Sequence, residues 1–302
     1  MDGDGTNALF IGTGQVMLES AQPQWPRPPN SGWRPSSLRP SRRRRCSSGT
    51  IEHVRVLTWN LWWKFGPWSE RQPAIAAELS RADADVIALQ EVWADDVADQ
   101  AATLADDLGY HVIRSRRPDG SPQRFGNAIL SRRPIRFVEQ VTMPDANGEP
   151  TSRTALIAAI DWEPGPRLLV TTHLTWQYYA SAARQVQLQA IVDAVDRHRR
   201  PATGVDTDAD GVPVIVTGDL NGSPESQEVR RLTGLEPGYH PELIFIDSWA
   251  AVGDGPGHTW TRDNPHAAEA SWPRRRLDYV LVSWPRPKPF CSPLSASLAG
   301  TE

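Results

Sequence analysis

A carboxylate and a carboxamide follow a short run of β-branched residues in the second half of the chain. Asp219 and Asn221 come directly after Val214-Ile215-Val216-Thr217-Gly218, and such a run is typical of a buried strand. Residues two apart in a strand point to the same side, so both side chains converge on one point if the extended conformation continues past Gly218; Leu220 then faces the core. Because a carboxylate can act as a general base, the motif predicts a catalytic site at this strand end.

Four other polar residues occupy comparable positions beside apolar runs. They are Asn60 after residues 54–59, Glu91 after 86–90, His173 after 168–172, and Asp278 in the run 276–282. A single polar residue at a strand end is most often a turn former, and a single histidine is as often a core residue as a site residue. The repetition of the pattern favours one shared site, since functional residues are concentrated where a rigid scaffold ends in loops.

Several helices and many strands must position these residues. Helices are predicted over Trp68–Ala82, Asp95–Leu108, Ala180–Arg199 and Pro224–Leu232 from apolar spacing and terminal residues. Strands are predicted over 54–59, 86–90, 110–114, 126–131, 135–142, 153–161, 167–173, 213–218, 243–249 and 276–282. Crossover helices mixed with consecutive strands favour two stacked sheets flanked by helices.

Composition divides the chain at about residue 50. Residues 1–50 contain six prolines, the run Arg42–Arg45 and no apolar period, so we expect a disordered tail followed by one domain over 51–302. The whole chain has a net charge of −4 and the tail +4, which leaves −8 for the domain. An acidic domain argues against indiscriminate nucleic-acid binding, while a local basic groove stays open as a possibility.

The cysteines and the hydropathy pattern predict a cytoplasmic protein. Cys46 and Cys291 are the only cysteines and lie in the tail and near the end, so no disulfide framework is indicated. The N-terminus has no continuous apolar segment of a secretory signal, and no run of 18 apolar residues occurs that could span a membrane. We expect a monomer in a reducing compartment.

Six short motifs in order resemble the endonuclease/exonuclease/phosphatase superfamily. The motifs are Thr58-Trp59-Asn60-Leu61, Ala88-Leu89-Gln90-Glu91-Val92, Phe125-Gly126-Asn127-Ala128-Ile129-Leu130-Ser131, Thr172-His173-Leu174, Gly218-Asp219-Leu220-Asn221 and Arg276-Leu277-Asp278-Tyr279. The resemblance covers about Val54 to Val282. It implies an α+β fold, a four-layer α/β/β/α sandwich of two mainly antiparallel sheets, and metal-dependent hydrolysis of phosphoesters.

The resemblance also implies a metal site. Glu91 would bind Mg²⁺, with Mn²⁺ as a substitute, and Asn60 would support that site from the neighbouring strand. Both offer the hard oxygen atoms that Mg²⁺ prefers. The bound ion would act as a Lewis acid.

The catalytic roles come from the same resemblance. Asp219 would orient or deprotonate the attacking water, Asn221 would hold the phosphate, and His173 would donate to a phosphoryl oxygen. Asp278 would orient a second histidine, which in this family belongs to a Ser-Asp-His motif on a later strand.

No histidine follows Asp278 in this sequence, which departs from the family pattern. His258 and His266 precede it in Gly-rich or Pro-flanked loops and do not match the motif. We therefore expect a domain that lacks its last strand, that leaves the 276–282 strand as an exposed edge, and that has impaired activity.

A nuclease-type phosphodiesterase is the favoured function. The alternatives are a lipid or inositol-phosphate hydrolase and a non-catalytic module that binds phosphate ligands.

Aromatic and basic residues near the motifs have functional as well as structural interpretations. The aromatic set could stack on bases, contact lipid or pack at sheet ends: Trp59, Trp62, Trp63, Trp176, Tyr178, Tyr179 and Trp260. The basic set could flank a phosphate-rich substrate or form a solvated face: Arg114, Arg116, Arg117, Arg124 and Arg274–Arg276.

The Asp206–Gly211 segment resembles a calcium loop, but Thr217 occupies the twelfth position where a glutamate is required, so we interpret it as a solvated loop.

Overall fold

The computed structural model describes residues 13–19, for which only the backbone is considered, and 54–117, 120–162, 165–200, 211–264, 266, 272–285 and 291–300. The strands are β1 (Thr13–Glu19), β2 (Val54–Asn60), β3 (Val86–Trp93), β4 (His111–Arg114), β5 (Phe125–Ser131), β6 (Ile135–Pro144), β7 (Pro150–Ile160), β8 (Arg167–His173), β9 (Val214–Asp219), β10 (Ile244–Asp247), β11 (Asp278–Trp284) and β12 (Ser292–Ala299). The helices are α1 (Trp68–Ala82), α2 (Gln100–Leu108), α3 (Ser181–Arg199), α4 (Gln227–Leu232) and α5 (Ser248–Val252).

The strands form two six-stranded sheets. The first has the order β12-β1-β2-β3-β5-β4 and the second β10-β11-β9-β8-β7-β6. Only the β2–β3 and β8–β9 pairs are parallel among the described strand pairs, and the others are antiparallel. The predicted sandwich of two mainly antiparallel sheets is therefore confirmed.

Three apolar clusters hold the four layers together. Between the sheets, Val56 and Val86 pack with Leu169 and Ile215. The outer face of the first sheet is covered by Ile75 and Leu79 of α1 and by Leu104 of α2. The outer face of the second sheet is covered by Leu188, Ile191 and Val195 of α3. Both sheets are buried on two faces, so the central strands are continuous apolar runs that do not alternate with polar residues.

Helix α1 has its predicted bounds, whereas α2 begins five residues later than predicted. The carboxylate of Asp99 accepts a hydrogen bond from the Ala102 amide at 3.1 Å and so caps α2. Asp95 instead accepts from the Val97 and Ala98 amides in a separate turn, at 3.0 and 2.9 Å. Asp and Asn form such turns as readily as helix caps, which explains the error.

The backbone of Thr13–Glu19 forms a strand inside the segment predicted to be a disordered tail. This strand, β1, pairs antiparallel with both β2 and β12. The composition of a 50-residue window does not reveal a seven-residue strand whose partners are distant in sequence. The prediction of a wholly structureless tail is therefore corrected for these residues; the rest of 1–50 lies outside the described residues.

The predicted exposed edge at residues 276–282 is wrong. Strand β11 lies between β9 and β10 and is paired on both sides. The short strand β10 pairs with its outer side. Strand β10 is shorter than the predicted 243–249, because it ends at Asp247 and helix α5 begins at Ser248. Strand β12, which the sequence pattern did not predict, joins the other sheet at its β1 edge.

No helix in the described parts of the chain is long and apolar enough to cross a membrane. Of the rejected calcium-loop segment, residues 206–210 lie outside the described residues.

Candidate active site

The five strand-end residues predicted from the sequence meet at one edge of the sandwich. Asn60 and Glu91 come from the parallel pair β2–β3, and His173 and Asp219 come from the parallel pair β8–β9. Asp278 lies opposite Asp219 in the antiparallel β9–β11 register. Two parallel pairs stacked face to face bring four carboxyl ends of strands together, which explains the cluster.

Glu91 lies in a β-bulge. Its φ of +53° is rare for a residue other than glycine, and the β3–β5 register shifts between Leu89 and Val92. A bulge turns a side chain away from the position that strand alternation would give it. Here the bulge brings the Glu91 carboxylate to the end of β2.

Asn60 links the two carboxylates across the sheets. Its amide Nδ2 donates to Glu91 Oε1 at 2.9 Å and to Asp219 Oδ2 at 3.1 Å. Its Oδ1 accepts from the Trp62 backbone amide at 2.9 Å, which sets the orientation of the amide group. Asn60 therefore presents N–H groups to Glu91 and Asp219.

Gly218 lets β8 and β9 approach closely beside Asp219. Its φ is +137°, and a Cβ on it would lie 2.0 Å from the Thr172 carbonyl oxygen. The chain does not stay extended after this point, because Asn221 has a φ of +50°. The condition for convergence of Asp219 and Asn221 through strand alternation is therefore not met, although Leu220 is buried as expected.

A turn holds Asn221 beside Asp219. The Asn221 backbone amide donates to Asp219 Oδ1 at 2.9 Å, and its Nδ2 donates to the Leu174 carbonyl at 3.1 Å. The two oxygens of Asp219 are thus occupied by Asn221 on one side and Asn60 on the other. This carboxylate is held in one orientation.

His173 lies between the two carboxylates. Its Nδ1 is 3.6 Å from Glu91 Oε1 and its Nε2 is 3.7 Å from Asp219 Oδ2, both longer than a hydrogen bond. Burial, and then the positive charge of Arg153, hold the pKa of His173 well below its usual value. The imidazole is therefore neutral at pH 7, with one N–H to donate.

Asp278 is buried, and the Thr259 side chain is the hydrogen-bonding group beside its carboxylate. Burial, followed by the negative charges of Asp219 and Glu91, raises the pKa of Asp278 well above its usual value. Burial likewise raises the pKa of Asp219, and it raises that of Glu91 to about 7. Three carboxyl groups thus share a site that disfavours their ionised forms.

Arg153 of β7 belongs to this site, although no motif predicted it. Its Nη1 donates to the His173 backbone carbonyl at 3.0 Å, and its charge acts on Glu91, Asp219 and His173. With Asn127, Phe125 and His173 it lines a recess of about 80 Å³. In the sequence, Arg153 is the one arginine of a strand whose second half consists of small and apolar residues. The pairing of β7 with β8 is what places it beside His173.

The donor atoms fit a hard divalent cation. Glu91 Oε2 is buried and has no hydrogen-bond partner in the described parts of the chain. No group of three or more His, Cys, Asp or Glu side chains among the described residues is arranged to hold a metal. An ion here would have few protein ligands and several waters, as Mg²⁺ commonly does. Glu91 would bind it, and Asn60 would hold Glu91 in place.

The aromatic and basic sets divide by burial. Trp59, Trp62 and Trp260 are buried, whereas Trp176, Tyr178 and Tyr179 are exposed. Arg114 is buried in an ion pair with Asp99, and Arg276 is buried and donates to both oxygens of Asp247 at 3.0 and 2.8 Å. These two arginines are structural. Arg116, Arg117 and Arg124 instead line an open groove beside the recess.

Known proteins share this sequence pattern and fold. Protein angel homolog 2 of Mus musculus is 27% identical over 170 residues, which cover 53% of this chain and 30% of the mouse protein, so the match spans less than a third of that relative. The human Nocturnin catalytic domain with bound sulfate superposes with a TM-score of 0.55 at 20% identity, covering 76% of this chain and 81% of that one. D. rerio TDP2 complexed with single strand DNA product gives a TM-score of 0.54 at 20% identity, covering 75% and 82%.

At such identities the structural likenesses show the fold, and the family follows from the sequence. The profile of the Endonuclease/Exonuclease/phosphatase family matches residues 57–296, which include all of the site residues described above. The chain belongs to the endonuclease/exonuclease/phosphatase family.

Proposed function

We propose that this protein is a Mg²⁺-dependent phosphodiesterase of the nuclease type. Membership of the family supports phosphoester hydrolysis in general. The observation that carries the proposal is the Glu91–Asn60–Asp219 array, in which one amide holds two buried carboxylates from different sheets. His173 and Arg153 lie beside that array and would face the phosphate.

The residues have complementary roles in this proposal. Asp219 takes a proton from the attacking water; its raised pKa brings it closer to neutral pH, where a general base is most effective. Neutral His173 donates its N–H to a phosphoryl oxygen as negative charge develops there. Asn221 keeps one amide N–H beyond its bond to Leu174 and can donate it to the same phosphate. The Arg153 guanidinium offsets the added negative charge.

The proposed cofactor complements the unpartnered oxygen of Glu91. When bound, a Mg²⁺ or Mn²⁺ ion supplies Lewis-acid stabilisation of the phosphoryl oxygens. Glu91 holds the ion, and the Asn60 amide keeps the Glu91 carboxylate from rotating away.

A second candidate function is a binding module that holds phosphate ligands without turnover. The observation that favours it is that none of the described histidines forms an ion pair with the buried Asp278 carboxylate. The ring of His266 instead lies 5.1 Å from the Trp62 ring. Without a histidine paired to Asp278 we expect slow turnover, since a positioned acid–base group contributes about 10²- to 10⁴-fold.

Hydrolysis of thymidine 5′-(p-nitrophenyl phosphate) tests the proposal. We expect slow release of p-nitrophenol that requires Mg²⁺ or Mn²⁺ and disappears in Asp219→Ala, with an exposed-site control, Asp107→Ala of α2, unchanged. Joining a family-type Ser-Asp-His segment after residue 302 should increase the rate. Binding of the ester without any release, with or without that segment, would favour the binding module. Release that Asp219→Ala leaves unchanged would refute the proposed role of the site.

A further inference from the structure

A groove much larger than the catalytic recess opens beside it. We call it the arginine groove, because Arg116, Arg117 and Arg124 line it. Its volume is about 680 Å³, within the range of about 300–1,000 Å³ for ligand sites. Phe125, Ser152 and Thr154 line both the groove and the recess. The ring of Phe125 is centred 6.3 Å from the His173 ring. A chain bound in the groove would therefore lead directly to the catalytic residues.

The groove is positively charged although the domain around it is acidic. Arg116, Arg117 and Arg124 line it, and none of the described lining residues is acidic. Among the described residues, Arg117 makes no side-chain ion pair and Arg124 pairs only with the exposed Asp96, at 3.2 Å. Such exposed pairs are weak, so these charges are available to a ligand. A local positive surface on a negative body attracts an extended anion to this place.

The same groove presents aromatic rings to solvent. Phe125 and Phe137 are 36% and 51% exposed. Thr142, Thr151 and Ser152 add hydroxyl groups along the wall. Arginines that meet phosphates and rings that stack on bases form the usual surface for single-stranded nucleic acid.

The arginine side of the groove is held in place by the sheet. The Gln140 side chain of β6 accepts from the Arg116 backbone amide and donates to its carbonyl, each at 2.8 Å. Gln123 Nε2 donates to the Ser152 carbonyl at 2.7 Å. Arg116 and Gln123 are thus attached to β6 and β7 on the two sides of the described part of this wall.

We propose that the arginine groove binds the single strand of nucleic acid that flanks the scissile phosphate. The inference rests on the proposed function, because the groove gains this meaning from leading to a phosphodiesterase site. A single strand is favoured over a duplex, since its bases can leave their own stack and lie on Phe125 and Phe137. A substrate without bases would leave both rings exposed to water.

Fluorescence anisotropy with labelled dT12 and rU12 tests the groove in EDTA, where binding is measured without cleavage. We expect Arg117→Gln and Arg124→Gln each to weaken binding and to reduce the slope of log K against log salt by about 0.7. Phe137→Ala should weaken binding about 5- to 150-fold, the effect of losing one stacked base. The two oligonucleotides distinguish DNA from RNA as the source of the strand.

Arg136→Gln is the matched control. Arg136 is an exposed arginine next to Phe137 in β6 and does not line the groove. The proposal requires Arg136→Gln to leave affinity and salt slope unchanged. Equal losses in Arg117→Gln and Arg136→Gln would indicate general electrostatic attraction and overturn it, as would tighter binding of a 12-base-pair duplex than of dT12.

Hydrolysis of thymidine 5′-(p-nitrophenyl phosphate), measured in parallel, separates the two proposals. Groove-dependent binding of dT12 without any hydrolysis would refute the proposed phosphodiesterase and leave the groove in place. If hydrolysis depends on the metal but Arg117→Gln and Phe137→Ala leave the affinity for dT12 unchanged, only the proposal that the groove binds a single strand is refuted.

Discussion

Replacing Glu91 with glutamine should make the metal-free protein more stable at alkaline pH. Burial raises the pKa of Glu91 from an ordinary value near 4.5 to about 7. Between these values the folded protein binds a proton that the unfolded chain has already lost. The contribution of Glu91 to the free energy of unfolding is therefore at its maximum below about pH 4.5 and is lost as pH rises through 7.

The size of the effect follows from the shift. Each pKa unit corresponds to about 1.4 kcal/mol, so ionised Glu91 destabilises the metal-free fold by up to about 3 kcal/mol above pH 8. Glutamine keeps the shape and can still accept the Asn60 Nδ2 hydrogen bond, which is 2.9 Å long in the native protein. We expect Glu91→Gln to gain stability relative to the native protein as pH rises from 5 to 8.5.

Urea unfolding at several pH values in EDTA measures this difference directly. Glu242→Gln is the control, since the side chain of Glu242 is 71% exposed, and its pH dependence should parallel that of the native protein. Adding Mg²⁺ at pH 8 should then stabilise the native protein but not Glu91→Gln. If the native and Glu91→Gln curves run parallel from pH 5 to 8.5, folding does not raise the pKa of Glu91 and the reasoning fails.

Three other changes test the scaffold of the site. Gly218→Ala should destabilise the protein by at least about 3 kcal/mol in urea unfolding, because the new Cβ would lie 2.0 Å from a backbone oxygen of the neighbouring strand. Gly165→Ala is the control: a Cβ there meets nothing within 4 Å, so stability should change by less than about 0.5 kcal/mol. Asn60→Ala removes the donor shared by two carboxylates, so we expect a loss of about 3 kcal/mol at pH 8 and a smaller loss at pH 5, where protonation relieves the repulsion; an equal loss at both pH values would contradict this account. Deletion of residues 1–50 removes β1 from between β2 and β12 and should lower the Tm by at least about 2 °C, which corresponds to roughly 1 kcal/mol in a domain of this size. An unchanged Tm would support the disordered tail that composition predicts.

Much of the fold is encoded locally. Helix α1 has its predicted bounds, and most strands lie within a few residues of their predicted ranges, because apolar runs and terminal residues act on near neighbours. The strand-end positions of Asn60, Glu91, His173 and Asp219 could also be predicted, since each follows its own apolar run. Their assembly at one edge follows once the strands are known to form two stacked sheets.

Other features depend on contacts between residues distant in sequence. The pairing of β1 with β12 joins the two ends of the chain, and no local pattern encodes it. The bulge that reorients Glu91 and the turn that anchors Asn221 are set by neighbouring strands and loops. Arg153 reaches the site only through the β7–β8 register.

The apolar strands, the order of the motifs and the chemical types of the site residues can thus be predicted from local sequence. Which atoms of those residues meet, which carboxylates are buried together, and which arginines stay available to a ligand depend on the packing of the two sheets. Strand and helix preferences act over a few residues only. Hydrogen bonds such as that of Asn60 with Asp219, and the burial that raises the pKa of Glu91, require the two sheets to be packed.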